Sequence, residues 1–294
     1  MDFEEKKYWI AFSIFEGIGP MRFKLLLEYF GSAQAAYLAS SKELAAIGLG
    51  QKLVEDFVAF RNKFNFDSYF VRLHKLGIEA ICLEEDSYPK LLKEISDAPF
   101  VVYAKNVESI KNISSTKSVA VVGTRKMIDY GKTVTERFTK ELVANNFVIV
   151  SGLARGVDRI AHETTINNGG KTIAVFGTGL DSVYPPEHKA LADRIVESGG
   201  TLISEFPLGA RISKSNFVIR DRIISGLSLG VVVTEAAQRS GTMITASFAA
   251  EQGREVFAVP GPITSDTSKG TSELIKKGAK LVNTVEDILE ELNT

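Results

Sequence analysis

Residues 204–228 hold the side chains whose types and spacing are best suited to chemistry. The segment reads SEFPLGARISKSNFVIRDRIISGLS, with four cations and two phenylalanines against two carboxylates. The cations are Arg211, Lys214, Arg220 and Arg222. Lys214 precedes Phe217 by three residues, so both side chains can face the same way near a helix start. A cation for phosphate beside a ring for base stacking predicts single-strand nucleic acid binding. The alternative is a basic helix start with a buried phenylalanine.

Small and hydroxyl-bearing residues follow most of the predicted strands in the second half of the chain. They are Gly123-Thr124-Arg125, Ser151-Gly152, Gly177-Thr178-Gly179, Ser204-Glu205, Ser240-Gly241-Thr242 and Pro260-Gly261. Ligands of doubly wound sheets bind beyond the carboxyl ends of the strands. Small residues let a ligand approach the backbone, and the helix starts that follow favour phosphate. Each motif alone is a tight turn, but together they predict a phosphate-binding edge, on which Arg125 would converge.

The elements that position these residues form a regular pattern from about Thr116 onward. Apolar strands alternate with amphipathic helices, which predicts a Rossmann-like, doubly wound and mostly parallel α/β sheet covered on both faces. The predicted strands are 119–122, 148–150, 173–176, 202–204, 231–234, 256–259 and 280–282. The helix that contains Phe217 and begins just after Lys214 is predicted over 216–225.

The N-terminal part is predicted to be helical. Apolar helices flank the glycine-rich turns 17–20 and 48–50, the layout of a helix-hairpin-helix (SAM-like) domain whose turns could offer N–H groups to a DNA backbone. A small helical bundle with glycine C-caps is the alternative. We therefore predict a helical domain over 1–66, a connector with short strands over 67–115 and the Rossmann-like domain over 116–294. Residues 112–117 are expected to form a polar linker turn.

Composition limits the class of protein. Lys plus Arg is 35 and Asp plus Glu is 36 among 294 residues, so nucleic acid binding would need a local positive pocket rather than bulk charge. The single cysteine, Cys82, excludes an internal disulfide and is expected to be a buried hydrophobe. No signal peptide or membrane span is present, which favours the cytoplasm and no membrane contact.

The common nucleotide and catalytic signatures are absent from the sequence. It has no P-loop and no G-x-S-x-G elbow, and Ser182 stands where a dinucleotide motif after Gly177 would need its third glycine. The three histidines lack metal-ligand spacing. We therefore expect no catalytic residues, no metal and no cofactor.

Six ordered motifs give the whole chain a family resemblance. They are VGTR at 122–125, SGLARGVD at 151–158, YP at 184–185, RDRIISGLS at 220–228, SGTMITA at 240–246 and GREVFAVPG at 253–261. Together they resemble the DNA-processing protein A (DprA/Smf) family. The resemblance implies a homodimeric single-stranded DNA-binding protein that protects incoming DNA during natural transformation and loads the recombinase RecA. The family is not known as an enzyme.

The resemblance also implies site residues. The family's glycine-serine-arginine motif falls on Gly123, Thr124 and Arg125, and its lysine and base-stacking phenylalanine fall on Lys214 and Phe217. Its Arg-Asn-Arg motif falls on residues 220–222. With the strand-end edge, the predicted DNA-binding set is Gly123, Thr124, Arg125, Ser151, Gly152, Lys214, Phe217, Arg220, Arg222, Ser240, Gly241 and Thr242.

The sequence departs from the family pattern at several positions. Thr124 replaces serine but keeps the hydroxyl, and Val218 stands for proline. Asp221 replaces asparagine, which should weaken phosphate binding unless Arg220 or Arg222 pairs with it. His188 and Ser272 each stand for asparagine. The chain stops soon after Leu292, so the C-terminal winged helix of some members is expected to be absent.

Two other functions remain open at this level. Related Rossmann-like enzymes cleave the base–ribose bond of nucleotides with a carboxylate after a glycine-rich turn. Here Gly241-Thr242 is followed by no acid at that spacing, and Glu235 is the only nearby candidate, with bracing of a loop as its plainer role. A nucleotide-sensing module would bind mononucleotides in preference to oligonucleotides.

Overall fold

A nine-stranded sheet forms the centre of the computed structural model, which describes residues 1–107 and 117–292. Its strand order is β1-β2-β6-β5-β4-β3-β7-β8-β9. The strands are β1 (Ile78–Cys82), β2 (Val101–Lys105), β3 (Ser118–Val122), β4 (Val148–Ser151), β5 (Thr172–Val175), β6 (Thr201–Ser204), β7 (Gly230–Val233), β8 (Glu255–Ala258) and β9 (Lys280–Leu281). Strands β3 to β9 agree with the predicted ones to within one residue at each end.

The sheet is parallel from β6 to β9, and β2 and β1 extend it antiparallel at the β6 edge. All five residues of β3 are buried, as expected for a β-branched run covered on both faces. The chain leaves β3 towards β4 on one side and returns to β7 on the other. The order therefore reverses between β3 and β7, which makes their carboxyl ends the topological switch point where such folds bind ligands. This confirms the predicted Rossmann-like class.

Helices cover both faces of the sheet. After β3 they are α8 (Asp129–Ala144), α9 (Val157–Asn167), α10 (Lys189–Glu197), α11 (Lys214–Gly226), α12 (Gly241–Glu251), α13 (Lys269–Lys276) and α14 (Glu286–Leu292). One apolar core joins α8, α9 and α14 to the sheet, and a second joins α11, α12 and α13 to the opposite face. The helix that carries Lys214 and Phe217 is thus anchored by its C-terminal half, which leaves its first turn at the strand-end edge.

The N-terminal part is helical, as predicted. It comprises α1 (Phe3–Ile14), α2 (Pro20–Phe30), α3 (Ala33–Leu38), α4 (Ser41–Ala46), α5 (Gln51–Arg61) and α6 (Phe66–Lys75), with the short α7 (Lys90–Lys93) after β1. Both predicted glycine-rich turns join helix pairs. Phe23 stacks on Phe100 at 4.0 Å between ring centroids, so the helices and the β2 edge of the sheet share one apolar core.

Helix α6 occupies the start of the segment predicted as a connector with short strands, where no helix was predicted. Asn65 caps it by accepting a 2.8 Å hydrogen bond from the Ser68 backbone N–H, and Tyr69 and Leu73 bury its inner face. The division into domains stays a prediction. Its boundary at residues 115 and 116 lies outside the described residues, as does nearly all of the predicted linker turn.

Candidate nucleic-acid interface

The loop after β3 is held in place by close backbone packing. The Thr124 backbone N–H donates to the Glu235 backbone carbonyl at 2.7 Å, which ties the β3 end to the β7 end. A Cβ at Gly123 would lie 2.5 Å from Val157, and a Cβ at Gly156, where φ is 76°, would lie 2.2 Å from the Thr124 carbonyl oxygen. Two glycines are therefore required for the loop to sit at the switch point. Thr124 is buried, and Arg125 projects from the loop into solvent.

Phe217 lies over the end of β5. Its ring is so close to the Gly177 backbone that a Cβ at position 177 would lie 2.6 Å from the ring. Tyr184, which is 41% exposed, contacts the same ring at 5.1 Å between centroids. The two rings offer an aromatic surface at the strand-end edge. Sequence analysis did not choose Tyr184 as a site residue, although its Tyr-Pro turn was one of the family motifs.

Lys214 is the first residue of α11, one turn before Phe217. Ser213 caps the helix by accepting from the Asn216 backbone N–H. Lys214 and Arg125 are both exposed, and within residues 1–107 and 117–292 neither side chain forms an ion pair. The edge therefore carries two exposed cations that form no ion pair with a carboxylate of the described residues.

Arg220 is an interior residue, contrary to its predicted place in the DNA contact. Its side chain is 4% exposed, and its Nη1 donates to the backbone carbonyl oxygens of Gly152 at 2.5 Å and Val175 at 2.6 Å. Its Nε donates to Asp221 at 3.1 Å. Arg220 therefore joins the ends of β4 and β5, and its position close to Gly152 leaves no room for a Cβ there.

Arg222 is interior as well. Its side chain is 7% exposed and pairs with Glu205 at 2.5 Å and with Asp97 at 3.1 Å. Neither arginine of the 220–222 motif presents a free guanidinium at the surface. Sequence analysis had no means of foreseeing this, because the carbonyl and carboxylate partners come from other strands and loops.

Two carboxyl groups lie beside Arg220. Asp158 accepts from the backbone N–H groups of Gly152 and Ala154, and burial raises its pKa against the opposing charges of Arg220 and Arg125. Burial raises the pKa of Asp221 to about 6, and Arg220 lowers it while Asp158 raises it further. Asp221 pairs with Arg220, but the same guanidinium also faces Asp158, so this pairing does not offset the charges of both carboxyl groups. The charge of Arg125 lowers the pKa of both Asp158 and Asp221, so Arg125 lies close to these two carboxyl groups.

Ser151 and Gly152, two further predicted contacts, are committed to internal bonds. The Ser151 hydroxyl is fully buried and donates to the Val121 carbonyl at 2.8 Å, and the Gly152 N–H donates to Asp158. At the start of α12 the situation differs. Gly241 is exposed with open space around its Cβ position, Ser240 is the N-cap, and Thr242 is buried. Gly241 is thus the member of that motif that a ligand can approach.

Glu235 and His188 both support loops. Glu235 is 2% exposed, and its carboxylate accepts from the Ile128 backbone N–H at 3.2 Å beside Gly131, at the start of α8. This is the bracing role that sequence analysis considered for it. His188 is buried, and its Nδ1 donates to the Leu153 carbonyl at 2.8 Å. Neither side chain lies open on the edge.

These features define the class of the protein: a Rossmann-like α/β protein with a glycine-lined strand-end edge that carries two exposed cations and the ring pair of the exposed Tyr184 and the half-buried Phe217. The family model for DNA recombination-mediator protein A matches residues 79–293. Protein Smf of Synechocystis sp. is 35% identical over 290 residues, covering 98% of this chain and 73% of the relative. DNA processing protein DprA of Streptococcus pneumoniae is 46% identical over 208 residues, covering 70% and 72%. The chain belongs to this family, the DprA/Smf family.

The structure also resembles solved structures of this family. The X-ray structure of DNA processing protein A from Streptococcus pneumoniae has a TM-score of 0.82 at 36% identity, covering 99% of this chain and 98% of that chain. DNA processing protein A from Helicobacter pylori has a TM-score of 0.65 at 29% identity over 74% and 95%, and its structure was described for a single-stranded DNA binding mode. Over residues 1–107 and 117–292, no helix is long and apolar enough to cross a membrane.

Proposed function

We propose that this chain binds single-stranded DNA at its strand-end edge and acts in recombination as a non-enzymatic mediator. The observation that carries the proposal is the Phe217 ring, which lies over Gly177 beside Tyr184, one helical turn after the unpaired Lys214. A free cation next to an exposed aromatic surface is what stacking recognition of a single strand requires. Membership of the recombination-mediator family and the single-strand binding of the Helicobacter pylori relative support it.

In this proposal, Lys214 and Arg125 bind backbone phosphates, and Phe217 with Tyr184 stacks on bases. Gly123, Thr124 and the Ser240–Thr242 turn form the edge along which the backbone runs. Binding tolerates any sequence because every base has a face to stack on, and duplex is disfavoured because its bases are already stacked. The near-neutral net charge of −1 makes these local cations decisive.

Arg220, Arg222, Ser151 and Gly152 take positioning roles at this edge rather than contacts with the DNA bound there. Arg220 holds the β4 and β5 ends together beneath Phe217, and Ser151 and Gly152 are part of that internal network. Arg222 holds the loop after β6 through Glu205. Their substitution should therefore affect folding first and DNA binding through it.

The finer parts of the proposal rest on family membership. They are homodimerisation, protection of incoming DNA during transformation, and loading of RecA. A dimer would place two pockets on one strand and raise avidity without new contacts. Base–ribose cleavage is the less favoured function, because Glu235, the carboxylate that the sequence suggested for it, braces the start of α8.

Fluorescence anisotropy of a labelled oligothymidine tests the central proposal. We expect Lys214→Ala and Arg125→Ala each to lose about 1 kcal/mol, or about fivefold in Kd, with a salt slope shallower by about one. Lys140→Ala, an exposed lysine near the far end of α8, is the matched control and should bind like wild type. Wild type that binds mononucleotide but no oligonucleotide would instead establish the nucleotide-sensing function.

A further inference from the structure

A cleft of about 820 Å³ separates the first N-terminal hairpin from the segment that follows β6. One wall is the α1–α2 turn around Gly17 and Gly19, and the other is the loop 205–213 with one side of α11. Ser213, Asn216 and Ile219 of α11 line the cleft, whereas Lys214 and Phe217 lie outside it. We call the edge formed by Lys214, Phe217 and Tyr184 the Phe217 surface. The cleft and this surface lie on two sides of the same turn of α11, so one strand of DNA can cross from one to the other.

The walls combine apolar surface with the cation of Arg211, and the exposed carboxylate of Glu16 lies on the opposite wall. Phe15, Phe206 and Ile212 line the cleft, and Ile212 is 51% exposed although it is a large apolar side chain. Arg211, at the same wall, is exposed and has no ion-pair partner within the part of the chain that the structure describes. Aromatic and apolar faces beside a free cation suit a base and its phosphate.

The first turn of α2 adds a second group for phosphate. Gly19 is its N-cap and has no side chain to accept from the first N–H groups of the helix. Those groups carry the partial positive charge of the helix start, which favours an anion. A Cβ at Gly19 would meet nothing within 4 Å, so the approach to this turn from the cleft is open.

The most buried polar side chains of the cleft are incompletely satisfied. Arg222 is 93% buried by side chain, since its exposure is 7%, and its Nη1 has no hydrogen-bond partner among the described residues. Glu205, its ion-pair partner, has a free acceptor in Oε1, and burial raises the pKa of Glu205 to about 6. Both side chains line the cleft, so the unpartnered donor and acceptor lie just behind its wall, where the edge of a nucleobase pairs with them after a small side-chain shift.

We propose that this cleft is a second subsite for the same single strand, which binds a nucleotide next to those held at the Phe217 surface. The base enters between Phe206 and the N-terminal hairpin, and its phosphate lies between Arg211 and the start of α2. This subsite rests on the proposed function, because it needs a strand already bound at Lys214 and Phe217. It gives the N-terminal helices a direct role in holding DNA.

Fluorescence anisotropy with oligothymidines of two lengths, about 4 and about 16 nucleotides, distinguishes binding at the subsite from binding at the Phe217 surface. Gly19→Asp and Gly19→Asn form a matched pair, because both cap α2 and differ only in charge. We expect Gly19→Asp and Arg211→Ala to weaken the long oligomer about fivefold and to leave the short one unchanged. Gly19→Asn should retain more affinity for the long oligomer than Gly19→Asp, and Lys214→Ala should weaken both lengths.

Photocrosslinking supplies a positive readout. A long oligomer that carries 5-iodouracil should crosslink to Phe206 or Phe15 in wild type, as mapped by mass spectrometry, and less so in Gly19→Asp. The subsite is overturned if Gly19→Asp and Arg211→Ala bind the long oligomer as tightly as wild type does and wild type forms no crosslink in the cleft. In that case, loss of binding in Lys214→Ala would leave the proposed function standing. If wild type binds neither length, both proposals fail together.

Discussion

The Phe217 ring lies directly on the backbone of Gly177, with 2.6 Å between its Cδ1 atom and the position that a Cβ of residue 177 would occupy. The end of β5 thereby sets the height and tilt of the ring above the sheet edge. Tyr184 contacts the ring at 5.1 Å, and Lys214 precedes it by one turn. A change at a residue with no side chain of its own should therefore alter the surface proposed to bind DNA.

Gly177→Ala should weaken single-stranded DNA binding while the protein stays folded. The added methyl group displaces the Phe217 ring, which can swing towards solvent more easily than backbone can move. Anisotropy with Gly177→Ala, Phe217→Ala and the double variant forms a cycle. We expect Gly177→Ala to cause no further loss of DNA affinity when Phe217 is already alanine. If the losses of affinity in the two single variants add up in the double variant, Gly177 acts on binding in another way.

Arg220→Ala should destabilise the protein strongly. It removes the donor to the Gly152 and Val175 carbonyls and leaves Asp158 and Asp221 without their counter-charge, a loss of about 3–5 kcal/mol for a buried pair. Urea denaturation measures it. Lys214→Ala, an exposed neighbour on the same helix, should unfold like wild type. Equal stability of the two variants would return Arg220 to the proposed DNA contact.

Asp221→Asn should remove a pH dependence. Burial raises the folded-state pKa of Asp221 from 3.8 to about 6, so the folded protein holds its proton more tightly than the unfolded chain does. Wild type therefore loses stability through this group as pH rises from about 4 to about 6. Above pH 6, Asp221→Asn should have a higher free energy of unfolding than wild type. This difference should disappear as the pH falls to about 4.

The same substitution should strengthen DNA binding above pH 6, since it removes a carboxylate near Arg125 and Phe217. The asparagine side chain can still accept a hydrogen bond from Arg220, so the hydrogen bonds that Arg220 forms beneath Phe217 are kept. Anisotropy from pH 5 to pH 8 should show the wild-type affinity approaching that of the variant at the acid end. Asp158 and Glu205 are common to both proteins, and parallel profiles would assign any pH dependence to them instead.

Glu235→Gln should cost stability and spare DNA binding. The variant keeps one acceptor for the Ile128 N–H but places an amide beside Gly131, with an expected loss of about 1–3 kcal/mol. Thermal unfolding and anisotropy measure the two effects. If wild type hydrolyses the base–ribose bond of a nucleotide and Glu235→Gln does not, the Glu235 carboxylate is catalytic.

The fold was largely predictable because its signal is local. A strand such as Val119–Val122, whose residues are apolar on both faces, is stable only where helices cover both faces of the sheet. Seven runs of this kind agree with the observed strands. Helix α6 was missed, although Phe66, Tyr69, Phe70 and Leu73 are spaced three and four residues apart, a signal typical of an amphipathic helix.

The sequence by itself also placed Lys214 and Phe217 near the start of one helix, which was predicted over 216–225 and begins two residues earlier, at Lys214. What only the tertiary structure decided is which charges are free. Arg220 and Arg222 look as available as Lys214 in the sequence, but carbonyls and carboxylates of Gly152, Val175 and Glu205 occupy them. The cleft between Gly19 and Arg211 likewise exists only where the N-terminal helices pack on the sheet edge. Burial and pairing depend on contacts between distant segments, and no local pattern encodes those contacts.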